Sequence, residues 1–188
     1  MAHAIPMHHS QCLMRRQPAR IIVRPPQAAD EALFLTAVRR SQGLHGAWVS
    51  PPASPQKFRA YLAKSAEAAH RGLVVVECQT AALVGVINLS HIIRGPLQSA
   101  FIGYYAFKGF EGRGLMAAGM NLVIRYSFNK LRLHRLEANI QPANVRSISL
   151  VQRCGFQREG LARRYLKLGG RWQDHEHWVL LREEFNPA

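Results

Sequence analysis

The spacing of apolar residues divides the chain into a mainly helical first part and a longer part dominated by strands. Residues 19–24 form a short β-branched stretch that predicts a strand. Asp30 precedes a stretch in which apolar residues recur every three to four residues, and a second such stretch covers 55–71. The first part therefore predicts one strand and two helices, with a proline-containing loop over 43–55 between the helices.

After residue 72 the apolar positions change to strand-like runs. We predict strands over 72–78, 82–93, 98–107, 134–141, 155–168 and 172–185, and helices over 113–131 and 144–154. No repeat or internal linker interrupts this order, so we predict one α/β (α+β) domain over residues 19–188 around a mixed sheet. Residues 1–18 have little periodicity and predict a flexible tail.

The composition is that of a globular protein with a strong positive charge. Apolar residues make up 48% of the 188 positions, and 25 Lys+Arg against 11 Asp+Glu give a net charge of +14, mostly from arginine. An anionic partner would match this charge, whether a phosphorylated cofactor, an RNA-rich particle or an acidic protein. Solubility alone would also explain it. The charge by itself does not choose among these.

The cysteine content and the hydropathy of the sequence indicate the cellular compartment in which the protein is expected. The chain has three cysteines, too few and too odd in number for a disulfide framework, which favours a reducing cytosol. Neither a signal-peptide core nor an apolar run of about eighteen residues is present in the sequence. We therefore expect a soluble cytoplasmic protein without a membrane partner.

The most informative segment is the glycine-rich turn 109–116, between a predicted strand and a predicted helix. Glycines allow a backbone to turn sharply and to approach a ligand closely. The helix that follows directs free N–H groups and the positive end of its dipole at the turn. A diphosphate is the expected ligand, with Lys108 and Arg113 beside it; a plain connection between strand and helix is the alternative.

One phosphate motif in this turn is that of dinucleotide-binding proteins. Gly112, Gly114 and Ala117 satisfy G-x-G-x-x-[GA], and Glu137 lies near the distance expected for a ribose-binding acid. However, three predicted strands of the second part precede the motif, and the last of them contains Tyr104 rather than the aliphatic run of a buried parallel strand. A nicotinamide dinucleotide is therefore the less favoured ligand.

A second set of matches extends along most of the chain. It consists of S-H-I-I-R-G at 90–95, I-G-Y at 102–104, G-R-G-L-M at 112–116, L-H-R at 133–135, A-N at 138–139, Pro142, Asn144, Ser147, G-F at 155–156, R-E-G at 158–160 and G-R-W-x-D-H at 170–175. In this order they resemble the GNAT superfamily of acetyl-CoA-dependent N-acetyltransferases, most closely its RimJ/RimL-like subgroup of ribosomal-protein N-acetyltransferases. Gly112 and Gly114 match glycines of the family motif Q/R-x-x-G-x-G/A, whereas Gly109 replaces its Gln or Arg.

The resemblance implies a GNAT fold, with a mixed, mostly antiparallel sheet of six to seven strands, helices on both faces and splayed central strands. It also implies acetyl-CoA as cofactor and direct transfer of the acetyl group to an amine in a ternary complex. The cofactor-binding residues it implies are Tyr104, Tyr105, Ala106, Phe107, Gly109, Phe110, Glu111, Gly112, Arg113, Gly114, Leu115, Met116, Asn144 and Ser147. In the family, the Asn position contacts the pantetheine arm and the Ser position can protonate the CoA thiolate; a simple helix cap is the alternative for Asn144.

Acetylation of an amine also requires an acceptor for the amine proton, and three residues are candidates. Strand periodicity puts Glu137 and Asn139 on one face of their strand, where either could orient a water that receives the proton. His91 is the third, because histidine changes charge near neutral pH. For Glu137 an exposed strand surface is the alternative. Together with Ser147, Glu137 and Asn139 form the predicted catalytic set.

The resemblance implies an acceptor pocket at the helix-loop-helix of the first part of the chain, residues 30–71. Trp48 is a candidate wall of the acceptor pocket, with hydrophobic packing as the alternative, and His91 and Arg94 are further candidate contacts. Together, the resemblance and the positive charge favour the N-terminal amine of a protein, such as a ribosomal protein. A small amine (an aminosugar or polyamine) and a non-catalytic RNA-binding module are the alternatives. The expected assembly is a monomer or a homodimer.

Two histidines near the C-terminus invite comparison with a metal site. His175 and His177 share one face of the last predicted strand. Two histidines could begin such a site. The spacing fixes no third ligand, so no metal is predicted.

Overall fold

A computed structural model describes residues 21–46 and 48–186 of the chain. The predicted tail, residues 1–18, lies outside them. The strands are β1 Ile21–Arg24, β2 His70–Glu77, β3 Leu83–Ile93, β4 Ser99–Ala106, β5 Arg135–Ile140, β6 Gln157–Leu168 and β7 Arg171–Leu181. The helices are α1 Glu31–Arg40, α2 Gln42–His45, α3 Pro55–Ser65, α4 Leu115–Asn129 and α5 Val145–Arg153. Within the described residues, no helix is long and apolar enough to cross a membrane.

The strands form one seven-stranded sheet in the order β1-β2-β3-β4-β5-β7-β6. Neighbouring strands are antiparallel except β4 and β5, which are parallel. Parallel neighbours need a crossover connection, and α4 provides it between these two strands. The predicted mixed, mostly antiparallel sheet is therefore confirmed.

Hydrophobic clusters cover both faces of the sheet. On one face α4 and α5 pack through residues such as Ile124, and on the other α1 and α3 pack through Phe34 and Phe58. Strand β4 contributes to both, because Ile102 belongs to the first cluster and Tyr105 to the second. This alternation defines an α4/α5 face and an α1/α3 face, and confirms the prediction of helices on both faces.

Helix α3 is shorter than the sequence predicts. Its first turn is capped by Ser54, whose side-chain oxygen accepts a hydrogen bond from the Lys57 N–H. The helix ends at Ser65 rather than near Arg71, because the chain pairs with β3 from His70 onward. From His70 onward the backbone N–H and C=O groups form hydrogen bonds within the sheet, so they cannot extend the helix.

Close packing between α4 and β2 makes Gly119 a sensitive position. A Cβ atom at Gly119 would lie 2.8 Å from Cγ2 of Val75, a side chain with little rotational freedom. The better helix propensity of alanine is worth about 1 kcal/mol, whereas overpacking costs about 1–3 kcal/mol. We expect Gly119→Ala to lower the free energy of unfolding by about 1 kcal/mol in denaturant titrations.

Gly160 provides the matched control for this experiment. A Cβ atom there would meet nothing within 4 Å, so Gly160→Ala is expected to leave stability unchanged or raise it by up to about 1 kcal/mol. A Gly119→Ala variant more stable than the parent protein would contradict the packing argument.

Candidate active site

The site begins where the two parallel strands separate. Strands β4 and β5 pair only over Ser99–Phe101 and Arg135–Glu137, and both then continue without pairing to each other. This confirms the predicted splay of the central strands. Directly after β4, the Phe107 N–H donates to the Val84 carbonyl of β3 at 2.8 Å. Because successive residues of a strand direct their backbone groups to opposite sides, those of Tyr104 and Ala106 point away from β3, into the gap.

A cavity of about 1040 Å³ occupies this gap. It extends from the glycine-rich turn, along β4 and β5, to α2 and α5. The sequence-predicted residues that line it are Trp48, Tyr104, Tyr105, Ala106, Phe110, Glu111, Gly112, Gly114, Leu115, Met116, Asn139, Asn144 and Ser147. Residues far apart in the chain are thus brought to one cavity of a size suited to a small-molecule ligand.

The other predicted residues lie outside the cavity lining, and Phe107 and Arg94 contact other parts of the fold. Phe107 is buried in the core against Phe34, with ring centroids 5.6 Å apart. Arg94 donates a hydrogen bond to the Leu131 carbonyl just after α4. The remaining residues of this group are His91, Gly109, Arg113 and Glu137.

The glycine-rich turn has the geometry of a close-approach site. Gly109, Gly112 and Gly114 have φ angles of +101°, +72° and +74°, a region that residues with a Cβ rarely adopt. A Cβ at any of the three would meet nothing within 4 Å, so the space beside the backbone is open. Gly114 is also the N-cap of α4, and the helix dipole and free N–H groups favour an anion here. The turn therefore fits a diphosphate.

Charged side chains hold this turn in place. The Arg113 guanidinium pairs with the buried Glu77 carboxylate at the end of β2 and lies over the Phe110 ring, 5.6 Å from its centroid. Hydrogen bonds from Thr80 and from Arg113 keep the pKa of the Glu77 carboxyl below its ordinary value. Arg113 thus links the turn to the end of β2, and it is not among the residues that line the cavity.

Glu111 places a negative charge on the turn itself. Its carboxylate accepts a hydrogen bond from the Gly109 N–H at 2.7 Å. Hydrogen bonds from its own backbone N–H and from that of Gly109 lower the pKa of the Glu111 carboxyl. Glu111 is therefore ionised at neutral pH and stabilises the conformation of the turn.

On the opposite wall, Ser147 and Tyr104 form a pair of hydrogen bonds. The Ser147 hydroxyl donates to the Tyr104 hydroxyl at 2.6 Å, which in turn donates to the Ser147 carbonyl at 2.9 Å. Burial raises the pKa of Tyr104, so its hydroxyl stays protonated. Asn144 caps α5 by accepting from the Ser147 N–H at 3.3 Å. Strand β4 and the first turn of α5 thereby fix the position of the Ser147 hydroxyl.

The two β5 candidates have different surroundings. Ala138 and Ile140 belong to the α4/α5 cluster, so Asn139 points to the α1/α3 face. Its Oδ1 atom is buried without a hydrogen-bond partner and the residue lines the cavity. The Glu137 carboxylate instead accepts from Arg135 Nε at 2.9 Å, in a network with Glu159. Of these two, the structure brings only Asn139 to the cavity.

The cavity also contains His45, which the sequence did not single out. His45 lies in the short helix α2, part of which falls in the stretch predicted as a loop. Its Nε2 donates to the Ala106 carbonyl at 2.9 Å, and its ring stacks edge-on against Tyr105. A single histidine in an irregular stretch gives no local signal of such a long-range contact.

The histidines considered for a metal are separated by the structure. His175 is buried and lines the main cavity, whereas His177 lines a smaller one of about 280 Å³. Among the described residues, no group of three or more His, Cys, Asp or Glu side chains is arranged to hold a metal ion.

Comparison with known proteins agrees with this architecture. The family model "Acetyltransferase (GNAT) domain" matches residues 20–157. "Probable N-acetyltransferase YjcK" of Bacillus subtilis is 43% identical over 99 residues, covering 53% of this chain and 55% of that protein. The ribosomal protein uS5-alanine N-acetyltransferase of Escherichia coli is 36% identical over 106 residues, covering 56% and 55%. The chain thus spans about half the length of these curated relatives.

A solved structure extends the similarity to most of the chain. RimJ of Mycobacterium smegmatis, in complex with CoA-disulfide, superposes with a TM-score of 0.81 and 26% identity, covering 89% of this chain and 85% of that one. The family match includes β4, the glycine-rich turn and α5, the elements that line the cavity. With more than half of its length matched by the family model, this chain belongs to the GNAT acetyltransferase family.

Proposed function

We propose that this protein transfers the acetyl group of acetyl-CoA to the N-terminal amine of a protein, such as a ribosomal protein, by direct transfer in a ternary complex. The observation that carries the proposal is the cavity between the splayed β4 and β5 strands, with the open glycine-rich turn at one end. Family membership favours acetyl-CoA over a nicotinamide dinucleotide as the ligand of that turn.

The described residues fit acetyl-CoA, which supplies an activated thioester when bound. Backbone N–H groups at Gly112 and Gly114 would donate to its diphosphate, where close approach is unobstructed. Asn144 and the β4 residues Tyr104 and Ala106 would flank the pantetheine arm. A backbone N–H of β4 directed into the gap would donate to the thioester carbonyl oxygen as negative charge develops there.

Two side chains would act at the reacting groups. The Ser147 hydroxyl, which donates to Tyr104 in this structure, would turn toward the departing thiolate and give it a proton. Asn139 would orient the acceptor amine or a water, because its buried Oδ1 lacks a donor and an amine N–H supplies one. Glu137 and His91 lie outside the cavity lining, so neither is assigned a direct role.

The acceptor class rests on similarity and charge. A curated relative and a structural neighbour carry names that refer to ribosomal-protein alanine acetylation or to RimJ. The net charge of +14 repels polycationic amines and attracts acceptors held in RNA-rich or acidic surroundings. Trp48 lines the cavity, which agrees with its proposed role as a wall of the acceptor pocket. A cytoplasmic location, a monomer or homodimer, and a single domain over 19–188 stay predictions.

An acceptor panel tests this function. We expect the protein with acetyl-CoA to acetylate peptides with a free N-terminal alanine or serine, detected by mass spectrometry. The control is the same peptide with its N-terminus blocked. Both peptides contain an internal lysine, and the blocked one should stay unmodified. Transfer to spermidine or an aminosugar, with none to the free peptides, would contradict the protein-acceptor proposal.

A further inference from the structure

We infer that His175 is the general base of the acetyl transfer, accepting a proton from the acceptor amine at its Nε2 atom; this inference rests on the proposed function. His175 lies on β7 and is only 3% exposed. It lines the same cavity as Asn139 and Ser147. A ligand bound in the cavity could therefore contact the His175 ring and exchange a proton with it.

The tautomer of His175 is set by its own strand. Its Nδ1 atom lies 3.0 Å from the Gln173 carbonyl oxygen. A carbonyl can only accept, so Nδ1 carries the hydrogen in the neutral ring. Nε2 then has the free lone pair, which is the arrangement that a base requires.

His175 lies on the same face of the sheet as Asn139. Strand β7 pairs with β5 so that His177 lies opposite Asn139, and His175, two residues before His177, lies on the same face. This is the α1/α3 face, the side on which His45 also contacts the cavity. Asn139, whose buried Oδ1 has no hydrogen-bond partner, and His175 thus line the same cavity from two neighbouring strands.

The other ionisable groups of the described cavity lining are less suited to accept the proton. Burial raises the pKa of Tyr104 and of Tyr105, so both remain protonated. Glu111 is engaged by the glycine-rich turn, and Nε2 of His45 donates to Ala106. The remaining ionisable members are Arg146 and Arg153, which are cations. Outside this lining, the ring centroid of Tyr165 on β6 lies 5.9 Å from that of His175. Asp174 and His177 are titratable neighbours of His175 on its own strand, β7.

The reaction balances with this assignment. An α-ammonium group first gives a proton to solvent, and the neutral amine nitrogen then forms a bond to the acetyl carbonyl carbon. The carbon–sulfur bond breaks, one of the two amine protons passes to Nε2 of His175 while the other stays on the amide nitrogen, and the leaving thiolate takes a proton from Ser147. Both side chains then return to their starting protonation states by exchange with solvent.

The test compares His175→Gln with His177→Gln. Gln has no proton-accepting nitrogen, so we expect kcat/KM for an N-terminal alanine peptide to fall about 100-fold at neutral pH. Acetyl-CoA affinity, measured by calorimetry, should stay within about threefold of the parent. In His175→Gln, the acceptor amine must still lose its proton to solvent, so the pH dependence of kcat/KM is expected to reduce to that of the acceptor amine alone. His177→Gln, on the same strand face but outside the main cavity, should keep the parent's kcat/KM and pH profile.

A spectroscopic measurement is independent of turnover. The imidazole nitrogen chemical shifts of the parent protein are measured at a pH where the ring is neutral. The signal that His175→Gln removes should show a protonated Nδ1 and an unprotonated Nε2. Parent-like kcat/KM in His175→Gln, or an Nε2-protonated tautomer, would overturn this inference alone. A parent protein that acetylates no amine would overturn the proposed function and, with it, this inference.

Discussion

Gly112→Asp is expected to weaken acetyl-CoA binding by about 100-fold or more, as measured by calorimetry. Gly112 has a φ of +72° and open space beside it, so the new side chain would enter the region proposed for the diphosphate. A carboxylate about 4 Å from a phosphate charge is repelled by about 4 kcal/mol at the effective dielectric of a protein surface. A hundredfold change in affinity corresponds to about 2.7 kcal/mol, which is less than this repulsion.

The matched control is Gly112→Asn, which has the same size and tolerates the same backbone conformation without the charge. Both variants are expected to lose about 1 kcal/mol of stability from the left-handed conformation, so both should fold. The asparagine variant should bind acetyl-CoA much more tightly than the aspartate variant. Equal affinities in the two variants would mean that no phosphate lies at Gly112.

The second large effect is expected for Ser147→Ala, which removes the proposed proton donor to the thiolate. Turnover should fall about 100-fold, the lower end of the range for general acid catalysis. Acetyl-CoA affinity should change by less than about tenfold, because one neutral hydrogen bond contributes only about 0.5–1.5 kcal/mol. Steady-state kinetics and calorimetry on the same protein would measure the two quantities.

Tyr104→Phe tests how far the hydrogen bonds of Tyr104 contribute to the position of the Ser147 hydroxyl. The phenyl ring keeps the packing of Tyr104 but removes both hydrogen bonds to Ser147. We expect a smaller loss of turnover than in Ser147→Ala, because the serine hydroxyl remains but is less well oriented. Unchanged turnover in Ser147→Ala would exclude Ser147 as the acid.

Local periodicity was sufficient for most of the fold. On β5, Leu136, Ala138 and Ile140 alternate with polar residues, and all three are buried in the α4/α5 cluster. The turn at Gly112 and Gly114 was likewise visible, since only glycine adopts such φ angles readily. These features depend on neighbours in the sequence, which is why the sequence alone could predict them.

The features that local patterns did not predict depend on distant contacts. Arg113 pairs with Glu77, which lies 36 residues earlier in the chain. His45 contacts Ala106, 61 residues later. The orientation of His175 depends on the register of β7 against β5 and β6. Periodicity places such residues on faces, but the partner of each is decided by how the sheet assembles.

The short pairing between β4 and β5 has a consequence for thermodynamic linkage. Only three residue pairs join the β1–β4 half of the sheet to the β5–β7 half along this seam. A ligand that spans the seam contacts both halves and binds only when they are assembled. Occupancy therefore adds to the free energy of unfolding, by about 1.4 kcal/mol for each tenfold excess of ligand over its Kd. Bound acetyl-CoA would therefore connect the two halves across the shortest strand pairing of the sheet.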